Sequence, residues 1–237
     1  MQFHLNGFRT GSPDVQPAQG TEPVSDTDTN IDTTLPEKVD VLIVGCGPAG
    51  LTLAAQLSAF PGITTRIVEQ KDGPMQLGQA DGIACRTMEM FNAFGFADRV
   101  LREAYWVNET TFWKPSPDNR DHIARSGRIQ DTEDGLSEFP HVILNQARVH
   151  DFYLDVMANS SHRLAPDYSR RLIDLVIDDA SGTDHPATVT LERTDPDHHG
   201  EIETVKARYV IGCDGARSAV RTSLGCKLHG DSANQAW

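Results

Sequence analysis

Gly45, Gly47 and Gly50, with Pro48 and Ala49 between them, form a GxGxxG pattern. In such a pattern the first glycine permits a tight turn and the second lets backbone N–H groups approach a pyrophosphate, while the third lets a helix pack closely on a sheet. The helix that follows adds uncapped N–H groups and a partial positive charge. Nineteen residues after Gly50 stands Glu69, followed by Gln70. A carboxylate at that distance accepts both ribose hydroxyls of an adenosine and repels a 2′-phosphate. Together these features predict a dinucleotide site that favours FAD or NAD over NADP.

Two further stretches carry reactive residue types. GQADGIACRTMEMFNAFG, residues 78–95, holds Gln79, Asp81 and Arg86 in or beside a Gly-rich loop leading into a helix. Spacing alone reads Asp81 as a loop carboxylate and Arg86 as a solvated guanidinium. ARYVIGCDGARSAVR, residues 207–221, delivers Asp214 and Gly215 from an apolar strand to a turn, with Ser218 and Arg221 on the next helix. There Asp214 is equally a ligand carboxylate or a helix cap. His150, His198 and His199 read as surface residues. Cys46, Cys85, Cys213 and Cys226 are widely spread with no CxxC, so free thiols are expected and neither a disulfide framework nor a metal site is indicated.

The elements that must position these groups follow from pattern. VDVLIV at 39–44 is a β-branched apolar run, which predicts a strand buried on both faces. Leu51, Leu53, Ala54, Ala55 and Leu57 recur at helical spacing between Pro48 and Phe60, and Pro61-Gly62 stops that helix. A strand from Ile63 to Glu69 completes a βαβ unit with its strands parallel. Helices are predicted at 86–94, 97–104, 147–158 and 216–224. Strands are predicted at 106–113, 141–145, 171–178, 186–193 and 202–211. Lys114 to Pro140 reads as polar and turn-rich. The fold class is therefore α/β, with a Rossmann-like βαβ core and an additional β-rich segment.

Composition bounds the partners. A net charge of −13 excludes a basic nucleic-acid binder. No apolar run approaches the roughly 18 residues of a membrane span, and the N-terminus lacks a signal-peptide pattern, so no membrane partner is expected and the cytosol is the default compartment. Residues 12–36 are rich in Pro, Thr, Asp, Gln and Ser and contain no Lys or Arg, which predicts a disordered linker within an N-terminal segment 1–38. Before it, Phe3, Leu5 and Phe8 suggest an arm that docks on a surface.

In their order along the chain, VDVLIVGCGPAGLTLAAQLS, IVEQ, GQADGIACRTMEMF and DGARSAVR resemble the FAD-dependent aromatic hydroxylases, the single-component flavoprotein monooxygenases. AYWVNETTFWKP, EDGLSEFPHVILNQARVHDFYLDVM and GDSANQAW are similar to the phenol 2-monooxygenase group, most of all its 3-hydroxybenzoate 4-monooxygenases.

The resemblance implies FAD as cofactor, NADPH as a transient co-substrate, and O2, one atom of which is placed on a phenol or hydroxybenzoate ring. It assigns Gly45, Gly47, Pro48, Ala49, Gly50, Glu69 and Gln70 to the ADP half of FAD. Gln79, Arg86 and Gln146 are expected near the phosphates and ribityl chain, and Asp214 and Gly215 beside the pyrophosphate. Asp81 would take the phenol proton. His141 would either pair with a ring carboxylate or be a core histidine. No metal is implied, and full-length members are homodimers. They also continue beyond Trp237 with a second FAD element and further domains. Residues 39–237 are thus expected to be an incomplete FAD-binding domain with the start of a substrate region, leaving a contiguous exposed apolar patch near the ends of the strands at 171–178, 186–193 and 202–211. The alternative reading is a non-catalytic fragment that binds FAD weakly or not at all; a flavin oxidase or halogenase is disfavoured by GQADGIACRT.

Overall fold

The computed structural model describes residues 34–161, 163–178, 182–231 and 233. The proposed arm and most of the linker lie outside them. In chain order the elements are β1 (Lys38–Val44), α1 (Pro48–Leu57), β2 (Thr65–Val68), β3 (Gly82–Ile83), α2 (Cys85–Ala93), α3 (Ala97–Glu103), β4 (Tyr105–Val107), β5 (Glu109–Pro115), β6 (Ile123–Gln130) and β7 (His141–Ile143). They continue with α4 (Gln146–Ala158), β8 (Arg170–Ile177), β9 (Ala187–Arg193), β10 (Ile202–Gly212) and α5 (Ala219–Ser223). Two compact units result: Met75–Val156, and the residues on either side of it.

The flanking unit is built on a five-stranded sheet in the order β2-β1-β10-β9-β8. β1 pairs parallel with both β2 and β10, whereas β9 and β8 add on as antiparallel neighbours. The central position of β1 explains its composition, since Val41, Leu42, Ile43 and Val44 are buried in succession rather than alternately. α1 starts with Pro48 at its first turn and buries Gly50, Leu51, Ala54 and Ala55. The core joins Val39, Leu42 and Val44 to Val68, Leu172, Val189, Leu191 and Val205. Leu35, which pattern places in the linker, is buried in that same cluster.

Along β8 and β10, Ile173, Val176, Ile177, Ile202 and Tyr209 are exposed large apolar side chains, as expected of these strands. Register aligns Arg171, Glu192 and Ile202 in one row, Asp174, Thr190 and Thr204 in the next, and Val176, Thr188 and Lys206 in a third. Polar rows are interleaved with these apolar side chains, and Ile173 stands at the bulge between Leu172 and Asp174. At the end of β10 a 3-10 turn, Gly215–Arg217, replaces the first residues of the predicted helix, and α5 is only five residues long.

The Met75–Val156 unit contains a small sheet, β3-β7-β4, and a separate ribbon, β5-β6. Its core is aromatic. Phe91, Phe96, Phe152 and Tyr153 are all buried, with Phe96 and Tyr153 edge to face at 5.2 Å between centroids. Two differences from the sequence pattern stand out. The strand predicted at 106–113 is two strands, β4 and β5, separated at Asn108. β6 lies inside the segment read as polar turns, because both faces of the ribbon are largely exposed and no alternating apolar pattern is required. His150, read as a surface residue, is buried in α4.

Candidate flavin site

The turn between β1 and α1 is shaped by its glycines. Gly45 has φ of +103°, and a Cβ there would lie 2.5 Å from the Cys213 carbonyl oxygen. At Gly50 a Cβ would lie 2.0 Å from the Gly45 carbonyl oxygen, so both positions are closed by backbone. Gly47 is different: a Cβ there meets nothing within 4 Å. It is the N-cap of α1, no side chain caps this helix, and no acidic residue occupies its first turn. Pro48 and Ala49 are exposed beside it. The turn therefore presents an open cradle of backbone N–H groups at a helix N-terminus, which suits a pyrophosphate.

Glu69 follows β2 and turns its carboxylate back to this cradle. Its Oε2 accepts the Cys46 N–H at 2.8 Å, and Oε1 accepts the Lys71 N–H at 3.0 Å. A carboxylate offers about four acceptor sites, so roughly two remain for ribose hydroxyls. Burial raises the Cys46 thiol to about 12, reinforced by the Glu69 charge. Gln70 is exposed, and its carbonyl accepts the Thr194 hydroxyl.

Asp214 returns to the same turn from β10. A Cβ at Gly45 would come within 2.8 Å of the Asp214 Cα, and the Cys213 N–H donates to the Val44 carbonyl at 2.7 Å. The Asp214 carboxylate itself is occupied: Oδ1 accepts the Ser218 hydroxyl at 2.6 Å, and Oδ2 accepts the N–H groups of Ala219 and Val220. The side chain thus caps the start of α5, the second of the two roles open in the sequence, and keeps about one acceptor site of its roughly four. Gly215 holds φ at +76° in open space.

In the Met75–Val156 unit, Gln146 begins α4 and joins two of the other predicted residues, Gln79 and Asp81. Its side-chain Oε1 accepts the Gln79 N–H at 2.9 Å, its N–H donates to Asp81 Oδ1 at 3.3 Å, and a Cβ at Gly78 would lie 2.6 Å from its Cβ. Arg86, on α2, is exposed, and its guanidinium makes no hydrogen bond or ion pair among the described residues. His141 donates its Nδ1–H to Asp131 Oδ2 at 3.0 Å, and its Nε2 lies 3.5 Å from where a Gly82 Cβ would stand.

Asp81 and His141 have different partners. Pairing of Gly82 with Ile143 and Ile83 with Val142 puts them toward opposite ends of a short ladder. A cleft of about 750 Å³ in this unit is lined by β4, β5, β6 and the 132–140 loop, and neither Asp81 nor His141 lines it. Asp131, the histidine's partner, was not legible as such in the sequence, because it lies in the polar stretch that conceals β6. All four cysteines are free. Among the described residues no group of three or more His, Cys, Asp or Glu is placed to hold a metal, and no helix is long and apolar enough to cross a membrane.

With this geometry, comparison with known proteins is decisive: residues 38–237 match the family of the FAD binding domain. The chain belongs to that family. It is 67% identical over 237 residues to 3-hydroxybenzoate 4-monooxygenase of Comamonas testosteroni, covering 100% of this chain and 36% of that protein. A phenol 2-monooxygenase of Aspergillus fumigatus is 33% identical over 203 residues, 85% of this chain and 32% of that protein. Among solved structures, the flavin-dependent monooxygenase PieE in complex with FAD and substrate superposes with a TM-score of 0.66 at 27% identity, covering 82% of this chain and 33% of that one. The p-nitrophenol 4-monooxygenase PnpA of Pseudomonas putida, at 20% identity and a TM-score of 0.64, shares the fold over 83% of this chain and 46% of that one. The chain thus spans about a third of the length of the curated relatives named here.

Proposed function

We propose that this chain is the FAD-binding part of a monooxygenase that hydroxylates a phenol or hydroxybenzoate ring, 3-hydroxybenzoate being the first substrate to try. The observation that carries the reading is the open Gly47 cradle facing uncapped N–H groups, with the Glu69 carboxylate tied to the same turn through Cys46 N–H. The 67% identity supports the choice of substrate class.

In this reading Gly45, Gly47, Pro48, Ala49 and Gly50 hold the pyrophosphate through backbone, and Glu69 accepts the adenosine ribose hydroxyls. Gln70 flanks that carboxylate. Asp214 and Gly215 shape the turn beside it, the Asp214 carboxylate by fixing α5. Gln79, Arg86 and Gln146 contribute polar groups toward the remaining cofactor, Arg86 with an uncommitted guanidinium. Bound FAD supplies the activation of O2, using electrons from NADPH.

The substrate proton belongs to Asp81. Its exposed carboxylate, fixed through one oxygen by the Gln146 N–H, accepts the phenol proton and leaves a more electron-rich ring. His141, oriented through Nδ1 by Asp131, pairs with a ring carboxylate as the imidazolium, donating through both ring nitrogens.

The test is to add FAD to the purified chain, remove unbound flavin, and follow NADPH consumption with and without 3-hydroxybenzoate. Retained yellow flavin and faster NADPH consumption with the substrate support the reading. A colourless chain overturns the FAD site, whereas a yellow chain indifferent to hydroxybenzoates overturns the hydroxylase assignment.

A further inference from the structure

Glu69 lies beyond the last residue of β2, where a chain would ordinarily leave the sheet, yet its backbone is gripped on both sides. Its N–H donates to the Asp167 carbonyl at 3.0 Å, and its carbonyl accepts the Arg170 N–H at 2.9 Å. The same seam continues in both directions. Asp167 N–H donates to the Ile67 carbonyl at 2.8 Å, and Ser169 N–H donates to the Lys71 carbonyl at 2.8 Å. Val68 and Asp167 form a parallel bridge. Residues 167–169, which lead into β8 at Arg170, thus act as a short annex strand that prolongs the sheet past β2, about 100 residues away in sequence.

One side-chain pair crosses this seam. Arg66 Nε donates to Asp167 Oδ2 at 2.8 Å, and its Nη2 donates to Oδ1, a two-pronged contact. The Asp167 side chain is only 3% exposed, and Arg66 27%. A carboxylate so deeply buried is retained only with its cation in place, so the pair fixes the register of the annex strand against β2. Ser169 keeps φ at +57°, a conformation rare outside glycine, which the bonds on either side of it maintain.

We infer that Arg66 and Asp167 are positioning residues for Glu69: their buried ion pair locks the annex strand that aims the Glu69 carboxylate at the adenosine ribose. The inference rests on the proposed flavin site. Neither residue touches the glycine turn. Their effect passes through the main chain of Glu69, whose two carboxylate oxygens span only Cys46 N–H and Lys71 N–H. If the seam slips, the carboxylate turns away from the cradle while the cradle itself, built by Gly45, Gly47 and Gly50, remains.

The distinguishing readout is recognition of the ribose hydroxyl, measured by calorimetric titration of the intact chain with ADP and with 2′-deoxy-ADP. A hydrogen bond to a charged carboxylate corresponds to roughly a tenfold or greater preference for ADP. Glu69→Gln should remove most of that preference. Asp167→Asn should remove it to the same extent, and the double variant should show no further change. Arg66→Lys keeps the neutralising charge but loses the two-pronged geometry; it should reduce the preference, and it decides the matter if Asp167→Asn does not fold. Loss of affinity for both nucleotides alike, with the preference intact in Asp167→Asn or Arg66→Lys, would show a merely structural pair and overturn the inference while leaving the flavin site standing. Absence of any preference in the unaltered chain, or one that Glu69→Gln leaves untouched, would instead overturn the assignment of Glu69 to the ribose, and the inference with it.

Discussion

Replacing Gly47 by alanine separates ligand binding from folding. At φ of −73° alanine is sterically allowed, and the added methyl meets no protein atom within 4 Å. The folded state loses only the better N-cap residue, a cost of roughly 0.5–1 kcal/mol. For a chain of this size that lowers Tm by about 1–4 °C. The methyl instead occupies the space through which backbone N–H groups would reach a pyrophosphate. Losing one charge-assisted hydrogen bond there costs about 1.5–3 kcal/mol, so FAD affinity should fall roughly 10- to 150-fold. Gly50→Ala is the contrasting case. Its methyl would sit 2.0 Å from the Gly45 carbonyl oxygen, a backbone atom, so the turn must open and the soluble folded fraction should collapse. Thermal melts with flavin fluorescence titrations measure both quantities. FAD affinity within twofold of the unaltered chain in Gly47→Ala, or equal loss of folding in the two variants, would refute the reasoning.

Three other outcomes follow from local geometry. At pH 8 iodoacetamide should label exposed Cys226 and spare Cys46, whose buried thiol is pushed up to about 12; mass spectrometry before and after denaturation checks this. Asp214→Ala leaves Ser218 as the N-cap of α5 but removes the acceptor of the Ala219 and Val220 N–H groups, and should cost about 1–2 kcal/mol, seen as a Tm lower by roughly 2–8 °C. His198, whose Nδ1 lies 2.6 Å from Asp195, should titrate above its ordinary value of 6.5 by proton NMR and return toward it in Asp195→Asn. Because the folded value is raised, that pairing contributes fully below pH of about 6.5 and is lost as pH rises through the raised value.

The sequence by itself determined the features whose cause is local. A β-branched run, a glycine turn with Pro48 at the helix start, and a carboxylate nineteen residues on specify β1, α1 and β2, because backbone freedom and apolar periodicity act within a few residues. The strands at 170–177, 187–193 and 202–212 were legible for the same reason. Tertiary structure decided what depends on partners distant in the chain. It gave the Asp214 carboxylate its partners, since both of its oxygens meet N–H and O–H groups of the turn it faces. It gave His141 its aspartate and formed the exposed β5-β6 ribbon, where pairing needs no apolar alternation. It also set which side chains become neighbours across β8, β9 and β10, because register rather than composition decides that. The ion pair between Arg66 and Asp167, 101 residues apart, is of the same kind: each is an ordinary charged residue in the sequence, and only the annex strand beside β2 brings them into contact.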